Sequence, residues 1–213
     1  MLSLDEIALK HGTDKSSKLH GYTEKYDIHF SKLRKEKLKI LEIGIQNGFS
    51  LKMWKEYFEN STIFGIDTAD CERFREDRIV PILGSQNDLG FLQKLNSEYG
   101  PFDIIIDDGS HFNDDMKASF NFLFPLLKEG GIYVVEDLHC CYWPNFTNNT
   151  SFMDRMKELM DSVNSNGKCG LANIKKLEED GFYKSKTLGE LNYWDQSVEF
   201  INLYRSIVFI KKY

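Results

Sequence analysis

Short apolar runs alternate with helix-like segments through most of the chain, and this alternation limits the possible folds more than any other feature. Five runs of four to six residues predict β-strands, and apolar residues three and four positions apart between several of them predict helices. Such an alternation is typical of a parallel sheet with right-handed crossovers. The predicted strands are Leu38–Ile43, Thr62–Ile66, Ile79–Leu83, Asp103–Ile106 and Ile132–Val135.

The predicted helices carry apolar residues on one face. They follow the first, third and fourth strands, and Asp88 and Gly100-Pro101 predict the start and end of the second helix. A further helix is predicted over Phe152–Val163, and Val198–Tyr204 with Arg205–Ile210 predicts a hairpin. We therefore expect an α/β fold, a Rossmann-like doubly wound sheet of five parallel strands plus a C-terminal antiparallel hairpin. The apolar positions are Phe49, Met53, Trp54, Tyr57 and Phe58, then Leu92, Leu95 and Tyr99, then Met116, Phe120, Leu123 and Leu127.

Composition narrows the function classes. The 213 residues are 41% hydrophobic and 28% charged, which suits one globular core. We predict a helical or loop cover segment over residues 1–35 and an α/β domain over residues 36–213. A net charge of −6 without a basic patch argues against nucleic acid as a partner. No signal peptide, membrane-length apolar stretch or CxxC pair is found, which predicts a cytoplasmic protein with reduced thiols.

A glycine turn follows the first predicted strand. Glu42 precedes Gly44 by two residues, and Gly48 completes a G-x-x-x-G spacing. Glycines there permit a tight turn and a close approach of a ligand to the backbone. A dinucleotide fingerprint would need glycine where Gln46 stands, so the usual pyrophosphate cradle is absent. The alternative is a turn whose glycines serve packing alone.

Polar residues also end the second and third strands. Asp67 lies 23 residues beyond Gly44, close to the spacing of a carboxylate that binds ribose hydroxyls. Its alternative role is a helix N-cap. Ser85 and Gln86 follow the third strand, where small and amide side chains suit an adenine edge.

Two pairs of acids follow the fourth and fifth strands. They are Asp107-Asp108 and Glu136-Asp137. Carboxylates that converge at adjacent strand ends repel one another, and a divalent cation relieves that repulsion. Oxygen ligands without thiolates suit Mg²⁺ or Mn²⁺. Helix capping is the alternative, although it explains one acid per strand end and not two pairs.

The same end of the sheet offers a base and aromatic side chains. His111 lies three residues after Asp108, and an imidazole suits general-base chemistry near neutral pH. Tyr142 and Trp143 predict a wall for stacking a sugar, with a packing hook as the equal alternative. Tyr22 and Tyr26 suggest a lid over the cofactor.

Several segments resemble a known family. The turn after the first strand resembles motif I of the class I S-adenosylmethionine (SAM)-dependent methyltransferases. The segments LEIGIQNGFSLKMW, GSQNDLGFLQKL, FDIIIDDGSHFNDD and LFPLLKEGGIYVVEDLHCCYWP, preceded by HGTDKSSKLHGYTEKYDIHF, together resemble the metal-dependent sugar O-methyltransferases of the macrocin and mycinamicin type. Cys140-Cys141 is a departure, because small hydroxyl residues are common there. The resemblance implies SAM and Mg²⁺ or Mn²⁺ as cofactors, a metal held by Asp108, Glu136 and Asp137, and His111 as base.

The resemblance implies methyl transfer to a sugar hydroxyl by a methyltransferase domain over residues 36–213. Glu42, Gly44, Gly48, Asp67, Ser85, Gln86 and Asp107 are the expected cofactor-binding residues. The short chain favours a nucleotide-activated or glycan-linked hexose or heptose of a bacterial surface polysaccharide over an antibiotic sugar. We expect a homo-oligomer with a small-molecule substrate. A catechol O-methyltransferase, a nicotinamide-dependent oxidoreductase and a non-catalytic binding module are the alternatives.

Overall fold

The predicted strands all form and pair in one sheet. The computed structural model describes residues 2–147, 150–165, 179, 181 and 192–213. Within them seven strands pair in the order β3-β2-β1-β4-β5-β7-β6. The first five are parallel, and β7 is antiparallel to both β5 and β6. The predicted fold class is therefore confirmed. The strands are β1 (Lys39–Ile43), β2 (Thr62–Asp67), β3 (Ile79–Leu83), β4 (Ile104–Asp107), β5 (Ile132–Val135), β6 (Val198–Tyr204) and β7 (Ile207–Lys212).

The direction of winding reverses between β1 and β4. The chain runs outward from β1 to β2 and β3, then returns to place β4 on the other side of β1, where Ile43 pairs with Asp107. Ligands of open α/β sheets bind beyond the carboxyl ends of the strands at such a reversal. The loops after β1 and β4 are thus the first place to look for a site.

Helices cover both faces of the sheet. Their ends follow the local sequence: Ser3 and Glu6 form a capping box, and Asp88 accepts a hydrogen bond from the Phe91 amide, as predicted. α1 to α3 pack on one face, and α4 to α6 pack on the other. The helices are α1 (Leu4–His11), α2 (Thr23–Phe30), α3 (Phe49–Tyr57), α4 (Leu89–Tyr99), α5 (Asn113–Leu126), α6 (Phe152–Ser165) and α7 (Tyr193–Ser197).

The central strands are buried on both faces, which explains their apolar runs. Along β1, Ile40 packs with α1 to α3 and Leu41 packs with α4 and α5. Glu42 breaks this pattern, because its carboxylate is fully buried in the face that holds α3. A charge at that position needs partners from elsewhere in the chain.

Three local expectations differ from the structure. Strand β7 begins at Ile207 and not Arg205, because Arg205 and Ser206 form a two-residue turn with Ser206 at φ +67°. Phe49 is 44% exposed, since it lines the cavity described below and not the core. α5 ends at Leu126, before the two glycines.

Other expectations concern the whole chain. Cys71, Cys140 and Cys141 are free thiols, whereas Cys169 lies outside the described residues. Among the described helices, none combines the length and apolar character that a membrane crossing requires. The division of the chain at residue 35 stays a prediction.

Candidate active site

A cavity of about 830 Å³ opens at the carboxyl ends of the parallel strands. Its lining comes from the loops after β1 to β4, from the segment between α1 and α2, and from Asp137 after β5. The site therefore lies where the sheet topology predicts it. Among the expected site residues, the cavity is lined by Gly44, Asp67, Ser85, Gln86, Asp108, His111 and Asp137.

The glycine turn after β1 is a requirement of the backbone. Gly44 has φ +91°, and a Cβ atom there would lie 2.1 Å from the carbonyl oxygen of Asp108. Gly48 has φ +71°, and its Cβ would lie 2.6 Å from the Phe74 ring. Only glycine fits both positions, so backbone conformation and close packing already require these two glycines. The turn also lines the cavity, which is what the ligand interpretation requires.

Asp67 holds the glycine turn in place. One carboxylate oxygen accepts hydrogen bonds from the amides of Ile45 (2.9 Å) and Gln46 (3.0 Å), and the other accepts one from Ala69 (2.9 Å). Burial opposes ionisation, but the backbone amides, that of Ala69 foremost, hold the pKa of Asp67 below its ordinary value. Asp67 is not a helix N-cap: it stabilises the turn and lines the cavity, and its bond to ribose stays a prediction.

Gln86 lines the cavity, and it is bonded to Asp107, which is buried behind it. Gln86 donates to Asp107 Oδ1 (3.1 Å) and accepts from the Ser110 amide (2.8 Å), while Ser119 donates to Asp107 Oδ2 (2.6 Å). Burial raises the pKa of Asp107 to about 6. Asp107 does not line the cavity, and neither does Glu42, which accepts hydrogen bonds from Ser50 and Trp54. The structure thus gives these two acids partners within the protein, and their binding of a cofactor stays a prediction.

The acids after β4 and β5 separate into two environments. Asp108, His111 and Asp137 each offer a ligand atom, and these atoms all lie within 4.8 Å of one another. His111 Nε2 lies 3.7 Å from Asp137 Oδ2, and Tyr22 donates to Asp137 Oδ1 at 2.6 Å. The two carboxylates supply oxygen ligands that fit Mg²⁺ or Mn²⁺, and the imidazole of His111 lies beside them as the predicted base.

Glu136 is next to this cluster, because the ammonium of Lys15 contacts both Glu136 and Asp108. It is 2% exposed, and it accepts hydrogen bonds from Tyr26 and Lys15. Burial and the neighbouring Asp108 raise the pKa of Glu136 well above its ordinary range. The structure brings the expected metal ligands Asp108 and Asp137 together, and it pairs Glu136 with Lys15 and Tyr26. The role of Glu136 as a metal ligand stays a prediction.

Sequence reasoning missed Lys15. Its ammonium contacts Asp108, Glu136 at 2.9 Å and Glu42 at 3.5 Å, and the side chain is fully buried. Burial opposes its charge, but these carboxylates hold the pKa of Lys15 well above its ordinary value. Lys15 lies in the segment HGTDKSSKLHGY, and nothing in that segment indicates which carboxylates its ammonium would contact.

The structure places the four aromatic candidates in two different environments. Tyr22 and Tyr26 are buried and bonded to Asp137 and Glu136, and their part in a lid stays a prediction. Trp143 is 48% exposed, with its ring against His139 and Phe146, and Tyr142 is 72% exposed. Neither residue lines the cavity, and their contact with a sugar stays a prediction.

The sheet order, the glycine turn at the reversal and the carboxylate after β2 together define a class I, SAM-dependent methyltransferase fold. No protein-family model matches the chain. Its curated relatives include demethylmacrocin O-methyltransferase of Streptomyces fradiae, 37% identical over 223 residues, and mycinamicin VI 2''-O-methyltransferase of Micromonospora griseorubida, 34% identical over 223 residues. Both alignments cover 98% of this chain but only 53% and 52% of the relatives. The chain spans about half the length of these relatives.

Comparison with solved structures indicates the same relationship. The MycE methyltransferase from the mycinamycin biosynthetic pathway, in complex with Mg and SAH (S-adenosylhomocysteine), superposes with a TM-score of 0.85 at 33% identity. The match covers 99% of this chain and 53% of that one. A second MycE structure, with mycinamycin VI also bound, has a TM-score of 0.82. The chain is therefore a homologue of the SAM-dependent sugar O-methyltransferases, and the resemblance found in its motifs is confirmed.

Proposed function

We propose that the protein is a SAM-dependent, divalent-metal-dependent O-methyltransferase that acts on a sugar hydroxyl. One observation carries this proposal: the Asp108–His111–Asp137 cluster lines the same cavity as the Gly44 turn. A methyl donor at the turn and an acceptor at the cluster would thus share one chamber. The relatives named for methylation of antibiotic sugars support this assignment.

The residues at one end of the cavity would bind SAM, and those at the other end would bind the cation and the acceptor. Gly44, Gly48 and Asp67 would bind SAM, which supplies an activated methyl group. Ser85 and Gln86 would face its adenine. Asp108, Asp137 and the neighbouring Glu136 would hold the cation, which would lower the pKa of a bound hydroxyl and orient it. Holding donor and acceptor in line supplies much of the rate of such a displacement.

His111 is the proposed general base. Its imidazole is partly exposed in the cavity and lies beside Asp137, so it can meet an acceptor at the cluster. The acceptor oxygen forms a bond to the methyl carbon as the carbon–sulfur bond breaks, and the hydroxyl proton passes to the imidazole. SAH and the methyl ether are the products.

The acceptor belongs to one of two groups of sugars. The relatives indicate an antibiotic sugar, whereas a hexose or heptose of a bacterial surface polysaccharide, nucleotide-activated or glycan-linked, is our narrower proposal. Tyr142 and Trp143, which are exposed after β5, would contact this sugar. We also propose a cytoplasmic homo-oligomer.

Turnover on a panel of acceptors tests the function. The purified protein, SAM and Mg²⁺ are incubated with nucleotide sugars, polysaccharide fragments, glycosylated macrolides and catechols, and products are identified by mass spectrometry. Methylation of a sugar hydroxyl with release of SAH is the expected result. Methylation of catechols alone, or retention of NAD in place of SAM or SAH on purification, would contradict the proposal.

A further inference from the structure

The segment between α1 and α2 forms one wall of the cavity. Residues 12–14 and Leu19 of this segment line the cavity. Lys15 anchors the segment over the ends of β1 and β4, because its buried ammonium lies 3.5 Å from a Glu42 oxygen and also contacts Asp108. The wall therefore lies where the direction of winding reverses, beside the proposed SAM site.

Asp14 brings an exposed carboxylate to this wall. Its Oδ1 accepts a hydrogen bond from the Thr13 hydroxyl at 3.3 Å, and in the described part of the chain no lysine or arginine pairs with this carboxylate. The ammonium of Lys15, the next residue, is engaged with other acids. Asp14 can therefore accept a hydrogen bond from a cationic group of a ligand in the cavity.

Hydrogen bonds hold the wall in this position. Asp5 Oδ1 on α1 accepts from the Ser17 amide at 2.7 Å and from the Thr23 hydroxyl at 2.8 Å. The Asp14 carbonyl accepts from the His20 amide at 3.0 Å. A carboxylate on a fixed segment loses little conformational freedom when a ligand binds, so this wall is suited to recognise one.

The proposed SAM site gives the cofactor a direction in the cavity. With ribose at Asp67 after β2 and adenine near Ser85 and Gln86 after β3, the methionyl half would extend the other way, toward the Gly44 turn and the wall. That half carries an α-ammonium. An ammonium that leaves water for a cavity needs a hydrogen-bond acceptor there, and a carboxylate is the strongest one.

Asp14 is the aspartate of the cavity best placed for that ammonium. Asp70 follows β2, and Asp115 accepts from Asn87 after β3 at 2.9 Å, so both belong to the adenosyl side. The other three aspartates of the lining bond the glycine turn or belong to the proposed cation site. They are Asp67, Asp108 and Asp137.

We infer that Asp14 binds the α-ammonium of SAM through a charge-assisted hydrogen bond. The bond fixes the methionyl half at the wall, and it thereby helps to orient the sulfonium for transfer. The inference rests on the proposed SAM site, and it adds to that site a residue from outside the glycine turn.

The two partners of this bond can be removed one at a time. SAH and its des-amino analogue differ only in the α-amino group, and Asp14→Asn removes the charge but keeps an oxygen for the Thr13 hydroxyl. Isothermal titration of the full chain in EDTA gives the four dissociation constants. We expect the native protein to bind SAH about 10- to 100-fold more tightly than the analogue. Asp14→Asn should bind the two within about threefold of each other, because the preferred partner of the ammonium is gone.

Asp70→Asn is the matched control, because it removes an aspartate from the adenosyl side of the same cavity. It should keep the native preference for SAH over the analogue. Equal weakening of both ligands by Asp14→Asn, or a native protein that binds both equally, would overturn the inference. If the native protein binds neither SAM nor SAH, the proposed function fails as well, whereas a full preference for SAH in Asp14→Asn refutes the inference alone.

Discussion

The two halves of the cavity neutralise their charges in different ways. In the glycine half, which follows β1 to β3, Asp67 meets the backbone amides of Ile45, Gln46 and Ala69, no more than 22 residues away in sequence. In the acidic half, which follows β4 and β5, Asp108, Glu136 and Asp137 meet side chains of Lys15, Tyr26 and Tyr22 from the beginning of the chain. Local backbone thus builds one half, and distant side chains build the other.

This difference has a chemical consequence. Backbone amides are fixed donors with no charge of their own, so the glycine half is a constant surface for a ligand. The acidic half balances ionised side chains, and any change in its cation content or proton count shifts that balance. Perturbations of charge should therefore act mainly on the acidic half.

Removal of divalent cations should give the largest effect. After EDTA treatment we expect no detectable turnover while SAM still binds, because Asp108 and Asp137 belong to the acidic half alone. Asp137→Asn should lower kcat by at least about 10³-fold, since metal-assisted activation is worth several kcal/mol. Asp103→Asn, at the opposite end of β4, is the charge-matched control and should stay active. Full turnover in EDTA would remove the metal from the mechanism.

Replacement of His111 should give the next largest effect. We expect His111→Ala to lower kcat by roughly 10²- to 10⁴-fold, the usual contribution of positioned proton transfer. His111 has φ +59°, a conformation that asparagine tolerates better than most residues, so His111→Asn separates loss of the base from backbone strain. Steady-state kinetics and SAM titration measure both variants. A nearly active His111→Asn protein would contradict the base assignment.

Glu42 should make stability depend on pH. Burial raises its pKa from 4.5 to about 7 despite the nearby Lys15, so the folded state keeps a proton that the unfolded state has already lost between these pH values. The free energy of unfolding therefore falls as pH rises through this window. Glu42→Gln should remove a fall of about 3 kcal/mol between pH 4.5 and pH 8, measured by urea unfolding at each pH. Parallel profiles for the two proteins would show that Glu42 does not titrate there.

Asp67→Ala should give the smallest effect, and that effect should be confined to the glycine half of the cavity. We expect SAM affinity to weaken by about 1–3 kcal/mol, through loss of charge-assisted bonds and of the clamp on the glycine turn. Mn²⁺ affinity should stay unchanged because the acidic half is intact. Calorimetric titration of each ligand gives both numbers. Unchanged SAM affinity would exclude Asp67 from the cofactor site.

The same division explains how far the sequence could be interpreted. The glycine half was predictable because Gly44, Gly48 and Asp67 act through nearby backbone, and their spacing records that geometry. The acids of the acidic half were also predictable, because they directly follow predicted strands. Their hydrogen-bond partners were not predictable, because nothing in the spacing of Lys15 or Tyr26 indicates that tertiary packing brings them to Glu136.

The surroundings of the two adjacent acids after β5 could not be predicted for the same reason. Glu136 turns toward Lys15, and Asp137 turns toward the cavity. The metal-ligand set Asp108, Glu136 and Asp137 stays a prediction.

The hairpin turn at Ser206 ties the last strands to the acidic half. Its carbonyl accepts the Leu138 amide at 3.0 Å, and its hydroxyl contacts His139 Nδ1 at 2.5 Å. Tyr22, which bonds Asp137, also reaches the Ser206 carbonyl at 3.4 Å. During synthesis on a ribosome, residues from both ends of this region must therefore be released before the segment around Asp137 acquires its supports. The nascent chain therefore acquires its full reaction centre only after the hairpin of β6 and β7 emerges.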